Sequence, residues 1–239
     1  MNIDAIWHDL ECGGYTADLA LWRELAGRVG GPVLDVGAGT GRVTLEVAAC
    51  GHEVVAVDVA APLLAALGCR AARLPVETVV ADAREMRLGR RFALILVPMQ
   101  TLQLFEGPEG RTAFLGCALE HLEPGGLLVA ALADPLDSFD DDHDMPPPAD
   151  ACEILGVRYS SQLLRVVDHG ARGAIHRRRE IVPARDQDEA HDVVVHLDRV
   201  GADEVAAEGR RIGFTAEPHL YVRETERYLG STVVVLRAP

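Results

Sequence analysis

The chain has 239 residues, 49% of them hydrophobic, and a formal net charge of −14. That length and apolar content suffice for a well-buried core, in one elaborated α/β domain or two small ones. The acidic balance repels phosphate backbones and argues against a nucleic-acid partner. Charges or prolines interrupt every apolar run before it is long enough to span a bilayer, so no membrane segment is expected.

The first residues, MNIDAIWHDLE, carry acids and no basic n-region, which argues against a signal peptide. The five cysteines, Cys12, Cys50, Cys69, Cys117 and Cys152, form no CxxC pair. They read as free thiols in a reducing cytoplasm, not as a disulfide framework or a zinc site.

Two helices open the pattern, at about 4–12 and 16–29, the second with Thr16 as its N-cap and Leu19, Trp22, Leu25 and Ala26 on one face. An alternation follows: strand 32–36, helix 41–50 stopped by Gly51, strand 53–58, helix 62–67 with proline in its first turn, then strands 76–81 and 92–97. A helix at 112–122 ends at Pro124–Gly126 and leads into a fifth strand, 127–132. Uniformly apolar strands separated by helices predict a parallel sheet covered on both faces, doubly wound and Rossmann-like.

The stretch 134–150, DPLDSFDDDHDMPPPAD, predicts an exposed loop. Beyond it, segments near 152–158, 161–168, 173–182 and 190–199 alternate in the manner of an antiparallel meander. A helix at 202–212 and strands near 214–223 and 231–237 return to the main sheet. The expected organisation is an N-terminal helical cap (1–29), a Rossmann-like core (30–134), an acidic loop with an antiparallel β insertion (135–200), and a final helix with two strands (201–239). Together they give a seven-stranded, mostly parallel sheet with an antiparallel last strand. By alternation Val193, Val195 and Leu197 share an apolar face, which either builds a homodimer or folds onto its own domain.

The informative stretch is Val33-Leu-Asp-Val-Gly-Ala-Gly-Thr-Gly-Arg42, where a strand ends, the chain turns on three glycines and a helix begins. Glycine permits positive φ and lets a ligand approach the backbone. The crevice beyond the strand's carboxyl end is the expected site. A dinucleotide fingerprint needs glycine at position 42, where this chain has Arg42, and no GK[ST] follows for a P-loop. Asp58, followed by Val59, ends the second strand beside the glycine turn, where a carboxylate can accept two hydrogen bonds from a ribose diol. Asp82 ends the third strand; its carboxylate and the Ala83 N–H suit an adenine edge.

The ordered set LDVGAGTGR, AVDVA, ADAR, LILVPMQ and LEPGGLL resembles the class I S-adenosylmethionine-dependent methyltransferases over about residues 30–133. The resemblance implies S-adenosylmethionine as cofactor. Asp35, Gly37, Ala38, Gly39 and Gly41 would form its first motif, with Asp35 under the methionine end. Asp58 would be the ribose ligand and Asp82 the adenine-end acid. Pro98, Met99 and Gln100 would lie near the transferring methyl, where Gln100 either orients the acceptor or caps a helix.

The helix bearing Tyr15 and the insertion after the fifth strand are also similar to the amino-sugar N-methyltransferases and the glycine N-methyltransferase-like group. That implies that Tyr15 and Arg23 reach the cofactor's carboxylate region. The implied activity is in-line displacement of the methyl by a small-molecule acceptor, N- or O-directed, where positioning matters most.

No catalytic base stands out among nine histidines. His8 and His52 read as surface or turn residues, and His121 as a helix C-terminal cation. Arg177, Arg178 and Arg179 form a basic run in which 177 and 179 share a face; it either binds an anionic substrate or is a solvated strand. Asp140–Asp144 resembles a metal cluster in composition only, so no metal is expected. Two other readings stay open: a nicotinamide-dependent oxidoreductase, and a non-catalytic cofactor-binding or interaction protein of the same fold.

Overall fold

A computed structural model describes residues 2–133, 139–140, 147–183, 189–226 and 228–239. The loop expected at 134–150 and the metal-like run Asp140–Asp144 fall largely outside the described residues. Among the described residues no helix is long and apolar enough to cross a membrane.

Helices α1 (Ile3–Cys12) and α2 (Leu19–Val29) precede strand β1 (Val33–Val36). Helix α3 (Arg42–Ala49), β2 (Val54–Asp58), α4 (Ala61–Arg70), β3 (Val76–Val80), β4 (Phe92–Val97), a 3₁₀ turn at Thr101–Leu104, α5 (Pro108–Glu120) and β5 (Leu122–Ala133) follow. The parallel strands stand in the order β3-β2-β1-β4-β5. The order reverses between β1 and β4, which opens a crevice at their carboxyl ends.

β4 is buried along its whole length and shows why the sheet needs two covers. Ile95 and Val97 face Phe114 and Leu115 of α5, whereas Leu94 and Leu96 face Trp22 and Leu25 of α2 and Val43 and Val47 of α3. Successive side chains of a strand point to opposite faces, so an apolar run without alternation must be buried on both.

An antiparallel sheet intervenes after β5. It contains β6 (Phe139–Asp140), β7 (Asp150–Ile154), β8 (Val157–Asp168), β9 (Arg172–Pro183) and β10 (Glu189–Asp198). The order is β10-β9-β8-β6, with β7 also on β8. The chain then forms α6 (Ala202–Ile212), β11 (Thr215–Ala216), β12 (Leu220–Val222) and β13 (Ser231–Arg237). β13 lies antiparallel beside β5, and both β11 and β12 pair with β13.

Four local expectations are corrected. Helix α2 starts at Leu19, not Thr16; its N-cap position is Asp18, whose carboxylate is taken by the Trp22 indole at 2.7 Å and by Arg42. Helix α5 starts four residues earlier than Thr112 because Pro108 supplies a preset φ at its first turn. Pro124–Gly126 does not end that helix but lies inside β5, where pairing with β4 jumps from Phe92–Leu122 to Leu94–Leu127. The strand expected at 214–223 is broken into β11 and β12 around Pro218, which has no N–H for a ladder.

The meander's first strands are also re-divided. A two-residue turn at Leu155 and Gly156, with φ of 52° and 78°, joins β7 to β8. Positive φ at both positions is the primed hairpin geometry, which Leu-Gly does not announce in sequence.

Candidate active site

The glycine turn sits at the carboxyl end of β1. Gly37 and Ala38 donate their N–H groups to Val57 O at 2.8 and 3.1 Å, tying the turn to β2. Gly37 has φ of 72°, and a Cβ there would lie 2.5 Å from the Thr101 side chain. Gly39 has φ of 56°, and a Cβ there would strike the His8 imidazole. Both positions therefore need glycine on two counts, backbone conformation and space.

A cavity of about 920 Å³ opens over this turn. Its floor is the carboxyl edge of the parallel sheet: Asp35–Ala38, Asp58 and Val59, Asp82 and Ala83, and Pro98–Thr101. Its roof is the insertion, through Leu163, Val166, Ile175, Arg177, Val195 and Leu197. Val195 and Leu197, two of the three apolar-face residues, thus face the chain's own cavity. Its N-terminal wall is His8, Glu11, Cys12 and Tyr15. Burial pushes the Cys12 thiol up to about 11, so it is a neutral wall and not a nucleophile.

Asp35 is 1% exposed. Its Oδ2 accepts from the Thr44 hydroxyl at 2.6 Å, while Oδ1 is buried with no partner. Burial raises its carboxyl to about 7, against the Thr44 bond and the Arg42 charge. An orphaned carboxylate oxygen on a cavity floor is a place for a donor, such as an ammonium group.

Asp58 Oδ2 accepts from Gly39 N–H and Oδ1 from Ala60 N–H, each at 2.8 Å. Both oxygens are held in place and retain lone pairs for further donors. Val59 beside it is 69% exposed and gives the cavity an open apolar ledge. Asp82 is committed further than its sequence position suggests. Arg84 grips it through Nε at 3.0 Å and Nη2 at 2.6 Å, and that contact holds its carboxyl below the ordinary value.

Tyr15 is 4% exposed and stacks at a tilt on Tyr228, centroid to centroid 5.2 Å. Arg23 does not join it: it pairs with Glu46 at 3.0 Å, with 46% of its side chain exposed, and does not line the cavity. The arginine beside Tyr15 is Arg42, whose Nη1 donates to Tyr15 O at 2.8 Å and whose guanidinium lies 5.1 Å from the Tyr15 ring centroid. Asp18, 1% exposed, holds both Arg42 terminal nitrogens.

Met99 follows β4 with φ of 55°, a left-handed conformation rare outside glycine, at the cavity edge. Gln100 lines the cavity and makes no side-chain capping bond to the 3₁₀ turn it precedes.

Strand alternation divides the basic run as expected. Arg177 faces the cavity and pairs with Asp150 at 3.0 Å. Arg179 holds Glu11 and lies 5.3 Å from the Trp7 ring centroid. Arg178 pairs with Asp192 in solvent. His121 is 5% exposed and serves as a structural ring, accepting from Leu88 N–H at 3.2 Å and bonding Cys117 O at 2.8 Å.

Sequence reasoning missed His8, which it placed on the surface and which instead lies over Gly39. It also missed Arg42 as the partner of Tyr15. Arg42's own position, directly after the third glycine, was the available signal.

Comparison with known proteins agrees with this fold. Residues 33–126 match the family described as "Methyltransferase domain". A cypemycin N-terminal methyltransferase from a Streptomyces species is 34% identical over 122 residues, and the match spans about half of each chain, 51% of this one and 49% of the relative. The sugar N-methyltransferase KedS8 from Streptoalloteichus superposes with a TM-score of 0.77 at 19% identity, covering 100% of this chain and 93% of that one. The amino pentose methyltransferase CalS10 from Micromonospora echinaspora, solved with S-adenosylmethionine bound, gives 0.73 at 19% identity, covering 100% and 98%. At such identities the likeness of the two structures speaks for a shared fold.

Proposed function

We propose that this chain, whose residues 33–126 form a methyltransferase domain of the class I S-adenosylmethionine-dependent kind, methylates an amine on a small-molecule acceptor. The observation that carries the reading is the two-sided cavity. One side presents the glycine turn, Asp35 and Asp58; the other is the apolar roof of the insertion.

The residues fit the cofactor by their own unmet needs. The orphaned Asp35 Oδ1 suits the ammonium of the methionyl end. The fixed Asp58 carboxylate suits a ribose diol, and Val59 and Ala83 offer apolar and backbone surface to a base. Arg42 occupies the position that a dinucleotide turn gives to glycine and is committed to Asp18 and Tyr15, which speaks against a nicotinamide cofactor. When bound, S-adenosylmethionine supplies an electrophilic methyl group on sulfur and leaves as S-adenosylhomocysteine after transfer to the acceptor nitrogen.

The protein's task is then placement and exclusion of water. Met99 and Gln100, at the end of β4, and the roof residues bound the space left for the acceptor. The charge pattern supports an uncharged or cationic acceptor body. Each arginine lining the cavity already faces a carboxylate: Arg42 with Asp18, Arg84 with Asp82, and Arg177 with Asp150. Among the described residues no lining arginine lacks a carboxylate, although Arg177 keeps a buried Nε without a hydrogen-bond partner, and Glu226 adds a further acid to the lining. An amine is also what the cypemycin relative and KedS8 methylate by name.

Calorimetry with S-adenosylhomocysteine and, separately, NAD tests the cofactor. Binding of the first and not the second is expected, and the reverse sinks the reading. Labelled methyl transfer to a panel of amino sugars and peptide amines, each with and without a linked diphosphate, tests the acceptor. Preference for the diphosphate forms refutes the charge argument.

A further inference from the structure

One polar group at the glycine turn comes from outside the parallel-sheet domain. His8 projects from α1, and its ring stands where a side chain on Gly39 would otherwise be. Its Nδ1 lies 3.1 Å from Thr40 Oγ1. The Thr40 hydroxyl donates its single proton to Asp9 Oδ1 at 2.6 Å, and Asp9 is in turn gripped by Arg70, which also donates to Thr40 O at 3.2 Å. With its proton spent on Asp9, the Thr40 oxygen can only accept from the imidazole. Nδ1 must therefore carry the hydrogen, and Nε2 keeps its lone pair. His8 lines the cavity, and Nε2 is the ring atom nearest to where a side chain on Gly39 would stand, the residue whose backbone N–H fixes Asp58.

We propose that His8 is a nucleoside-binding residue, its Nε2 accepting a hydrogen bond from a ribose hydroxyl beside the one taken by Asp58. This rests on the reading of the cavity as a site for S-adenosylmethionine. The Arg70–Asp9–Thr40 chain acts through His8 and is positioning machinery: it sets the tautomer and orientation of a ring borne by a helix outside the domain. Burial pushes the imidazole below its ordinary value, against the pull of Asp9, Asp58 and Glu11 and with the help of Arg42, so the ring is neutral near pH 7. α1 thus contributes to donor binding directly and does not only cover it.

Two substitutions separate this from a packing role. In His8→Asn the amide keeps a donor near Nδ1 for Thr40 and removes Nε2; in His8→Gln an amide oxygen reaches the Nε2 position. The expected result by calorimetry is S-adenosylhomocysteine binding about five- to tenfold weaker in His8→Asn, as for one neutral hydrogen bond, and restored to within about twofold in His8→Gln. The 2′-deoxy or the 3′-deoxy analogue of that ligand should bind the wild-type protein more weakly and show no further loss in His8→Asn.

Unchanged affinity in His8→Asn overturns the proposal, as does an equal loss for the parent ligand and both deoxy analogues. Wild-type binding of both deoxy analogues as tight as that of the parent overturns it without any variant. Failure of the wild-type protein to bind S-adenosylhomocysteine removes the cofactor reading and this proposal together, whereas binding with an insensitive His8→Asn removes the proposal alone.

Discussion

Arg179 on β9 and Glu11 on α1 face each other fork to fork, with Nε and Nη2 on the two carboxylate oxygens at 2.8 and 2.7 Å. Ser161 on β8 donates to the same carboxylate at 2.7 Å. These bonds fasten the roof of the cavity to its N-terminal wall, so the two parts outside the Rossmann-like sheet brace each other.

The brace is measurable. With side chains 21% and 14% exposed, the pair is sheltered enough that Glu11→Gln should cost about 2 kcal/mol. That lowers the melting midpoint by roughly 4–8 °C for a chain of this size. Burial raises the Glu11 carboxyl, but the Arg179 and Ser161 bonds outweigh it and hold the group below its ordinary value. Its contribution is therefore present above the unfolded value and lost as pH falls through the folded one. A double-mutant cycle with Arg179→Met should show coupling; additive losses would falsify the pairing as a source of stability.

Asp35 carries the opposite sign. Its folded carboxyl titrates near 7 and its unfolded one near 3.8, so the native state holds the extra proton between them. Stability from this group is greatest at low pH, falls as pH rises through that window, and is lowest above about 7. Asp35→Asn should therefore raise the melting midpoint of the ligand-free protein at pH 8 more than at pH 5. The same group predicts that S-adenosylhomocysteine, which brings an ammonium, binds more tightly at pH 8 than at pH 6. Melting curves and titrations at these pH values check both, and a flat profile removes Asp35 from the site.

Asp58 holds the glycine turn through Gly39 and the start of α4 through Ala60. Asp58→Ala should weaken S-adenosylhomocysteine binding by about 1.5–3 kcal/mol, the range for hydrogen bonds to a charged group. Asp58→Asn, which keeps one acceptor oxygen, should lose less. Equal affinity in a folded Asp58→Ala protein excludes the residue from ligand contact.

Arg111 is the buried hub where the insertion rejoins the core. It is 3% exposed and bonds Asp198 at 2.9 Å and Glu208 at 2.7 Å, residues themselves 4% and 3% exposed. Arg111→Met leaves the buried Glu208 carboxylate without its cation and takes one donor from Asp198, which keeps Arg172 and the Gly107 N–H, and should cost about 3–5 kcal/mol. Adding Asp198→Asn and Glu208→Gln should recover part of that loss, since neutral amides are cheaper to bury. Denaturant unfolding measures the series; no recovery would point to lost packing instead of lost charge pairing.

The parallel sheet was legible in the sequence because apolar runs such as Phe92–Val97 can only be two-sided strands, and because glycine spacing fixes the turn after Val36. For the same reason Asp35 and Asp58 came out in the last two residues of β1 and β2, while Asp82, expected to end the third strand, lies two residues beyond β3. What escaped were contacts between segments distant in sequence. Periodicity puts His8 on a helix but does not say what the helix lies against. Arg23 and Arg42 are equally plausible partners for Tyr15 until Asp18, buried under Trp22, selects Arg42. The Leu155–Gly156 turn was hidden because its first residue pays a steric cost that turn chemistry does not lead one to expect.

Gln103, 6% exposed, reaches both ends of the insertion with one amide. Its Oε1 accepts from Ala133 N–H at 2.9 Å, where the chain leaves β5, and its Nε2 donates to Asp198 O at 3.2 Å, where it returns. Exit and re-entry are thus held at a fixed separation by a residue that belongs to neither. The stretch between them can therefore change without altering where the chain leaves and rejoins the sheet, as long as Arg179 and Ser161 keep their hold on Glu11 of α1.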